Sequence, residues 1–140
     1  MGFLKNLFSG KQAAAASRQA VPESIPPAQF RKDDFAFDSF QDVAASEAQL
    51  MVEQGHVQVL DVRFEYEYRS HHIPGATLIP LPQLPALFQQ LDSSRPTLVV
   101  CEHGIRSLQG CTFLSTKGFK TLYNMVGGMS AYKGKQERIQ

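Results

Sequence analysis

LVVCEHGIRS, residues 98–107, sets a cysteine at the end of an unbroken apolar run, with a glycine three positions on and an arginine five positions on. A short, β-branched apolar run of this kind reads as a buried strand. Beyond it, Ser107 to Lys117 reads as a helix, with Cys111 and Leu114 on its apolar side and Gly118 just past its end. Strand, glycine-containing loop and helix together make an anion cradle. The backbone N–H groups of the loop converge, and the helix N-terminus adds about half a positive charge. A cysteine at the mouth of such a cradle is stabilised as thiolate. Gly104 admits a backbone conformation that a Cβ would penalise. Arg106 supplies a permanent cation for a bound anion or for the loop backbone. The plain alternative is that Cys101 is a small hydrophobe closing a core strand, the commoner fate of a buried cysteine.

Working outward from the loop, the chain is punctuated regularly. VQVLDVR reads as a second buried strand, IPGATLIPL as a turn and a short strand, and KTLYNMVGG as a last strand with a Gly-Gly turn. AASEAQLMVEQG reads as a helix opened by a capping box between Ser46 and Gln49 and ended by Gly55. LPQLPALFQQL reads as a helix with Pro85 in its first turn, and MSAYKGK as a short final helix. Strands separated by helices, in units of about 20 to 35 residues, predict an α/β domain with a largely parallel sheet. In such sheets a ligand sits beyond the carboxyl ends of the strands. Asp61 and Cys101 both fall there.

A chain of 140 residues holds about one domain, and 43% hydrophobic residues place it in the globular class. Fourteen Lys+Arg against 13 Asp+Glu leave no basic footprint for a nucleic-acid partner. With two cysteines a disulfide scaffold is excluded. Unpaired thiols fit a reducing, cytoplasmic compartment. Residues 1–34 are rich in Ala, Ser, Gln and Pro and read as a flexible arm ahead of a domain over residues 35–137. Within the arm, Phe3, Leu4, Leu7 and Phe8 share one helical face, enough for at most a weak, peripheral membrane contact.

CEHGIRS resembles the active-site loop of the single-domain rhodaneses, the thiosulfate sulfurtransferases. VLDVRFEYEYRSHHIPGATLIPL is similar to that family's Asp-Val-Arg and His-Ile-Pro-Gly-Ala signature, and GFKTLYNMVGGMSAYK to its C-terminal pattern. Three motifs in register over about 100 residues are far more specific than Cys-x-x-Gly alone. The resemblance implies a rhodanese-like α/β domain: a largely parallel sheet of about five strands with helices on both faces. It also implies a thiosulfate sulfurtransferase working through a Cys101 persulfide, with a small-molecule sulfur donor and a thiol or cyanide acceptor. No metal or organic cofactor is needed. Glu102, His103, Gly104, Ile105, Arg106 and Ser107 would line the substrate. Phosphatases and arsenate reductases of related fold carry Cys-x5-Arg, whereas Arg106 here is one position closer to Cys101. The family ties the shorter loop to sulfur transfer. A persulfide carrier fed by a protein donor, or feeding a protein acceptor, is the other reading the motif allows.

Around the loop, Asp61 and Arg63 read as braces at the sheet edge, with Glu65 and Glu67 as partners for Arg63. Glu102 is expected to point to solvent. If it turned inward, it would disfavour both thiolate and an anionic donor. His103 is either exposed or shapes the pocket mouth. His72 reads as a hydrogen-bonded framework residue. His71 and His72 are adjacent, poor spacing for a metal on a helix. Cys111 reads as core.

Overall fold

The computed structural model describes residues 40–140; the arm expected over residues 1–34 lies outside them. Five strands, β1 (Gln41–Ala44), β2 (Gln58–Asp61), β3 (Thr77–Leu78), β4 (Thr97–Val100) and β5 (Leu122–Val126), form one sheet in the order β1-β5-β4-β2-β3. Every pairing is parallel. Between them run α1 (Ala45–Glu53), α2 (Glu65–Ser70), α3 (Leu84–Leu87) and α4 (Arg106–Ser115), and α5 (Gly128–Ala131) follows β5.

Strand periodicity divides the core in two. On β4, Leu98 and Val100 face one layer with Ala45 and Ala48 of α1 and Met129 of α5. Val99 and Cys101 face the other, with Leu84 of α3 and Cys111 and Leu114 of α4. A sheet covered on both faces needs apolar side chains on both, which is why β4 reads as a continuous apolar run. The strand carrying Cys101 is thus central and fully buried.

One strand is new and two expectations change. First, β1 was not marked by any alternation in the sequence: along QDVA only Val43 is buried, as befits an edge strand. Second, Ser46 is no capping residue. The N-cap is Ala44, with no side-chain cap, because β1 runs straight into α1 and Ser46 already lies in its first turn. Third, LPQLPALFQQL is not one helix. It divides into 3-10 turns at Leu81–Gln83 and Phe88–Gln90 flanking α3. Pro82 and Pro85 each withhold a backbone N–H, so no continuous helical ladder forms.

After α5 the chain returns along α2. His72 and Glu137 exchange backbone hydrogen bonds at 2.9 and 2.9 Å, and the Ile139 N–H donates to the Arg69 carbonyl at 2.9 Å. Among the described residues no helix is long and apolar enough to cross a membrane.

Candidate active site

β4 ends at Val100 and α4 begins at Arg106, so residues 101–105 form the loop at the carboxyl edge of the central strand. The Gly104 N–H donates to the Cys101 Sγ at 3.1 Å, and the Ser107 N–H does so at 3.3 Å. The thiol in turn lies 3.3 Å from the Ser107 Oγ. Gly104 has φ 92°, and a Cβ there would come within 3.0 Å of the Gly127 nitrogen. Only glycine lets the loop close this tightly against the β5–α5 turn. Two amides aimed at one sulfur, at the start of a ten-residue helix, favour negative charge on it.

The loop is braced from behind. Met129 and Ser130 donate their N–H groups to the Cys101 and Glu102 carbonyls at 2.8 and 3.0 Å. Gly128, at φ 63°, sits so close to the Glu102 carbonyl that no side chain fits there.

Asp61 and Arg63, both fully buried, form a compact ion pair, with Arg63 Nη2 to Asp61 Oδ2 at 2.8 Å. The Arg63 guanidinium also donates to the His71 carbonyl at 2.7 Å and to Glu102 Oε1 at 3.1 Å. Burial alone would depress its pKa. The hydrogen bonds and charges of Asp61 and Glu102 outweigh burial and raise it above its ordinary value. Glu102, expected to face solvent, is therefore held against Arg63, and its side chain is only 26% exposed. A buried guanidinium with a free Nη captures the nearest carboxylate.

Glu65 and Glu67 do not pair with Arg63. Glu67 takes both Nη groups of Arg106 at 2.9 Å each, and its Oε1 accepts the Phe64 N–H at 2.9 Å, which caps α2. The Arg106 hydrogen bond holds the Glu67 carboxyl down at about 2, and Glu67 raises the guanidinium in return. Arg106, expected to face an anion or the loop backbone, thus reaches across to α2, where it also lies over the Phe64 ring at 5.8 Å. His103 and Ile105 are exposed at the loop tip, Ile105 at 68%.

His72 is a framework residue. Its Nδ1 contacts the Tyr68 carbonyl at 2.7 Å, its Nε2 contacts Glu137 at 3.2 Å, and its ring stacks on Tyr68 at 3.8 Å. Cys111 is buried core, and burial pushes its thiol up to about 12. Cys101 and Cys111 are both free thiols.

A model of the rhodanese-like domain matches residues 44–135. The chain belongs to the rhodanese family. Among its curated rhodanese relatives, the thiosulfate sulfurtransferase GlpE of Shewanella oneidensis is 34% identical over 94 residues, covering 67% of this chain and 93% of that protein. GlpE of Coxiella burnetii is 30% identical, covering 67% of this chain and 88% of its own length. Among solved structures, the rhodanese-like domain protein of Staphylococcus aureus aligns with TM-score 0.65 at 26% identity, covering 71% of this chain and 99% of that one. The Alr3790 protein from Anabaena sp. aligns with TM-score 0.62 at 27% identity, covering 69% of this chain and 80% of its own. The rhodanese fold accounts for the parallel five-strand sheet and its two helical layers.

Two residues at the site escaped the sequence reading. Asn124, buried on β5, accepts the Ser107 hydroxyl at its Oδ1, and Asp42 on β1 accepts the Asn124 Nδ2 at 3.0 Å. A buried amide in an otherwise apolar strand, LYNMV, was the available signal.

Proposed function

We propose that the chain is a sulfurtransferase moving a sulfane sulfur from thiosulfate, or a related donor, to a thiol or cyanide through a Cys101 persulfide. One observation carries the reading: the Gly104 and Ser107 amides converge on the Cys101 Sγ at the start of α4. The thiolate attacks the outer sulfur of thiosulfate. A new S–S bond forms, the old one breaks, and sulfite leaves with its electron pair. The cysteine persulfide then carries the negative charge into the same amides, which stabilise an anion without rearranging. An acceptor thiolate or cyanide attacks the outer sulfur and returns Cys101 as thiolate, giving a ping-pong cycle. Glu102, tied to Arg63, leaves the cradle to the backbone. Asp61 and Arg63 act as braces.

Mass spectrometry after thiosulfate treatment tests this. The expected product is one added sulfur atom on Cys101, removed by dithiothreitol or cyanide. An equal adduct on Cys101→Ser would overturn the assignment.

A persulfide carrier is the second reading, favoured by the closure of Arg106 on Glu67, which compensates the loop's cation. A carrier would accept sulfur from a persulfidated protein much faster than from thiosulfate. Comparing the two donors separates the readings.

A further inference from the structure

Four side chains from four different segments form one hydrogen-bonded line, running from the buried Cys101 out to the exposed Asp42. The Cys101 Sγ lies 3.3 Å from the Ser107 Oγ, Ser107 meets Asn124 at its Oδ1, and Asn124 Nδ2 donates to Asp42 Oδ1 at 3.0 Å. Ser107 is fully buried and Asn124 is 2% exposed. Asp42 and Asn124 are register partners of the β1–β5 pair, so the edge strand delivers the carboxylate to the amide.

Hydrogen-bond chemistry gives this line a direction. A carboxylate only accepts, so the Asn124 amide must turn its Nδ2 to Asp42 and its Oδ1 to Ser107. An amide oxygen also only accepts, so the Ser107 hydroxyl proton points to Asn124. The face of the Ser107 Oγ left for Cys101 is therefore a lone pair, which suits an S–H and not a thiolate. The Gly104 and Ser107 amides, which only donate, suit the thiolate. Two opposing sets of contacts meet on one sulfur.

We infer that Asn124 and Asp42 are positioning residues: by holding the Ser107 hydroxyl turned to Asn124, they withhold one hydrogen-bond donor from the Cys101 sulfur. With Asp42 gone, the amide is free to flip, Asn124 donates to Ser107, and the Ser107 hydroxyl donates to the sulfur anion. The proton released by Cys101 goes to solvent, and no redox step is involved. Other ionisable groups lie near this sulfur. They are Arg106 from α4, Cys111 one turn along α4, which faces both Cys101 and Asp42, and Glu102 beside it, paired with Arg63.

This inference rests on Cys101 being the working thiol, yet its test needs no sulfur transfer. The rate of Cys101 alkylation by iodoacetamide is measured across pH for wild type, Asp42→Ala, Asp42→Asn, Asn124→Ala and the double Ala variant. Asp42→Ala should move the acid limb to lower pH and raise the rate there about fivefold, the effect of one net hydrogen bond. Asn124→Ala, which keeps the Asp42 charge, should give a similar rise, and the double variant no more than either alone. Asp42→Asn can still present an oxygen to Asn124 and should stay closer to wild type. Asp42 is exposed, so its variants should fold even if Asn124→Ala does not. If Asp42→Asn matched Asp42→Ala and both effects vanished at high salt, plain charge would explain them and the relay would be refuted. Unchanged profiles would refute it as well. Failure of the thiosulfate adduct with these alkylation shifts intact would overturn the proposed function alone.

Discussion

Arg106 and Glu67 are joined by two parallel hydrogen bonds of 2.9 Å, linking the first residue of α4 to the middle of α2 across the mouth of the cysteine loop. The guanidinium that opens α4 is thereby held by a carboxylate. Glu67→Gln should weaken this hold and raise kcat/KM for thiosulfate about fivefold at low ionic strength, with most of the gain lost in high salt. Arg106→Ala should lower it about tenfold, the value of one charge-assisted contact. Steady-state kinetics at two salt concentrations measure both. Unchanged values in both variants would mean that Arg106 never leaves Glu67 for the substrate.

The same pair predicts how stability responds to acid. The Glu67 carboxyl titrates at about 2 in the fold, below the ordinary 4.5. A depressed folded value means the contribution is complete above the ordinary pKa and is lost as pH falls towards about 2. For a partly exposed pair about 1 kcal/mol is reasonable. Thermal melts between pH 5 and pH 3 should show a steeper loss in wild type than in Glu67→Gln. Parallel curves would deny the pair a stabilising role.

The two cysteines should differ sharply in reactivity. Cys111 is held at about 12 by burial, so almost none of it is thiolate near neutrality. Peptide mapping after brief iodoacetamide treatment of native protein should find the label on Cys101. Comparable labelling of Cys111 would show that α4 opens more readily than its packing implies.

Glu102→Gln should act in two directions. Loss of the carboxylate removes a charged partner from buried Arg63, costing about 1 kcal/mol in a denaturant melt. It also removes a negative charge next to Cys101, so under the proposed function thiosulfate turnover should rise. A variant with unchanged melting and unchanged kinetics would reduce the 3.1 Å contact to a surface ornament.

Gly128→Ala should be the most damaging small substitution. Its Cβ would run into the Glu102 carbonyl while forcing alanine to φ 63°. A loss of about 2 kcal/mol or more is expected, together with loss of the thiosulfate adduct. Wild-type stability would require the β5–α5 turn to shift without moving the loop.

Local pattern and long-range pairing were unequally legible in the sequence. The apolar run before Cys101 and the helix after it carry their own signals in period and punctuation, and both stand in the structure. β1 is an edge strand with one buried residue, and nothing in QDVA distinguishes it from a loop. Side-chain partners were the hardest to read. Arg63 has carboxylates at positions 61, 65, 67 and 102 to choose from, and only the fold decides that 61 and 102 are near. The Asp42–Asn124 contact spans 82 positions and depends on the register of two parallel strands. Spacing in sequence carries no trace of that.

The two hydrogen bonds from α5 to the carbonyls of Cys101 and Glu102 sort the polarity of the loop's peptide planes. With those oxygens engaged from behind, the planes that carry them are pinned, and a swing of either would break a bond to α5. Under the proposed function, sulfur would therefore arrive and depart without a loop movement preceding it. Backbone amide NMR resonances of residues 102–107 should then respond to persulfidation through the change in charge, with hydrogen-exchange protection of Met129 and Ser130 staying as it was. In this architecture the resting loop already has the shape that the proposed persulfide requires.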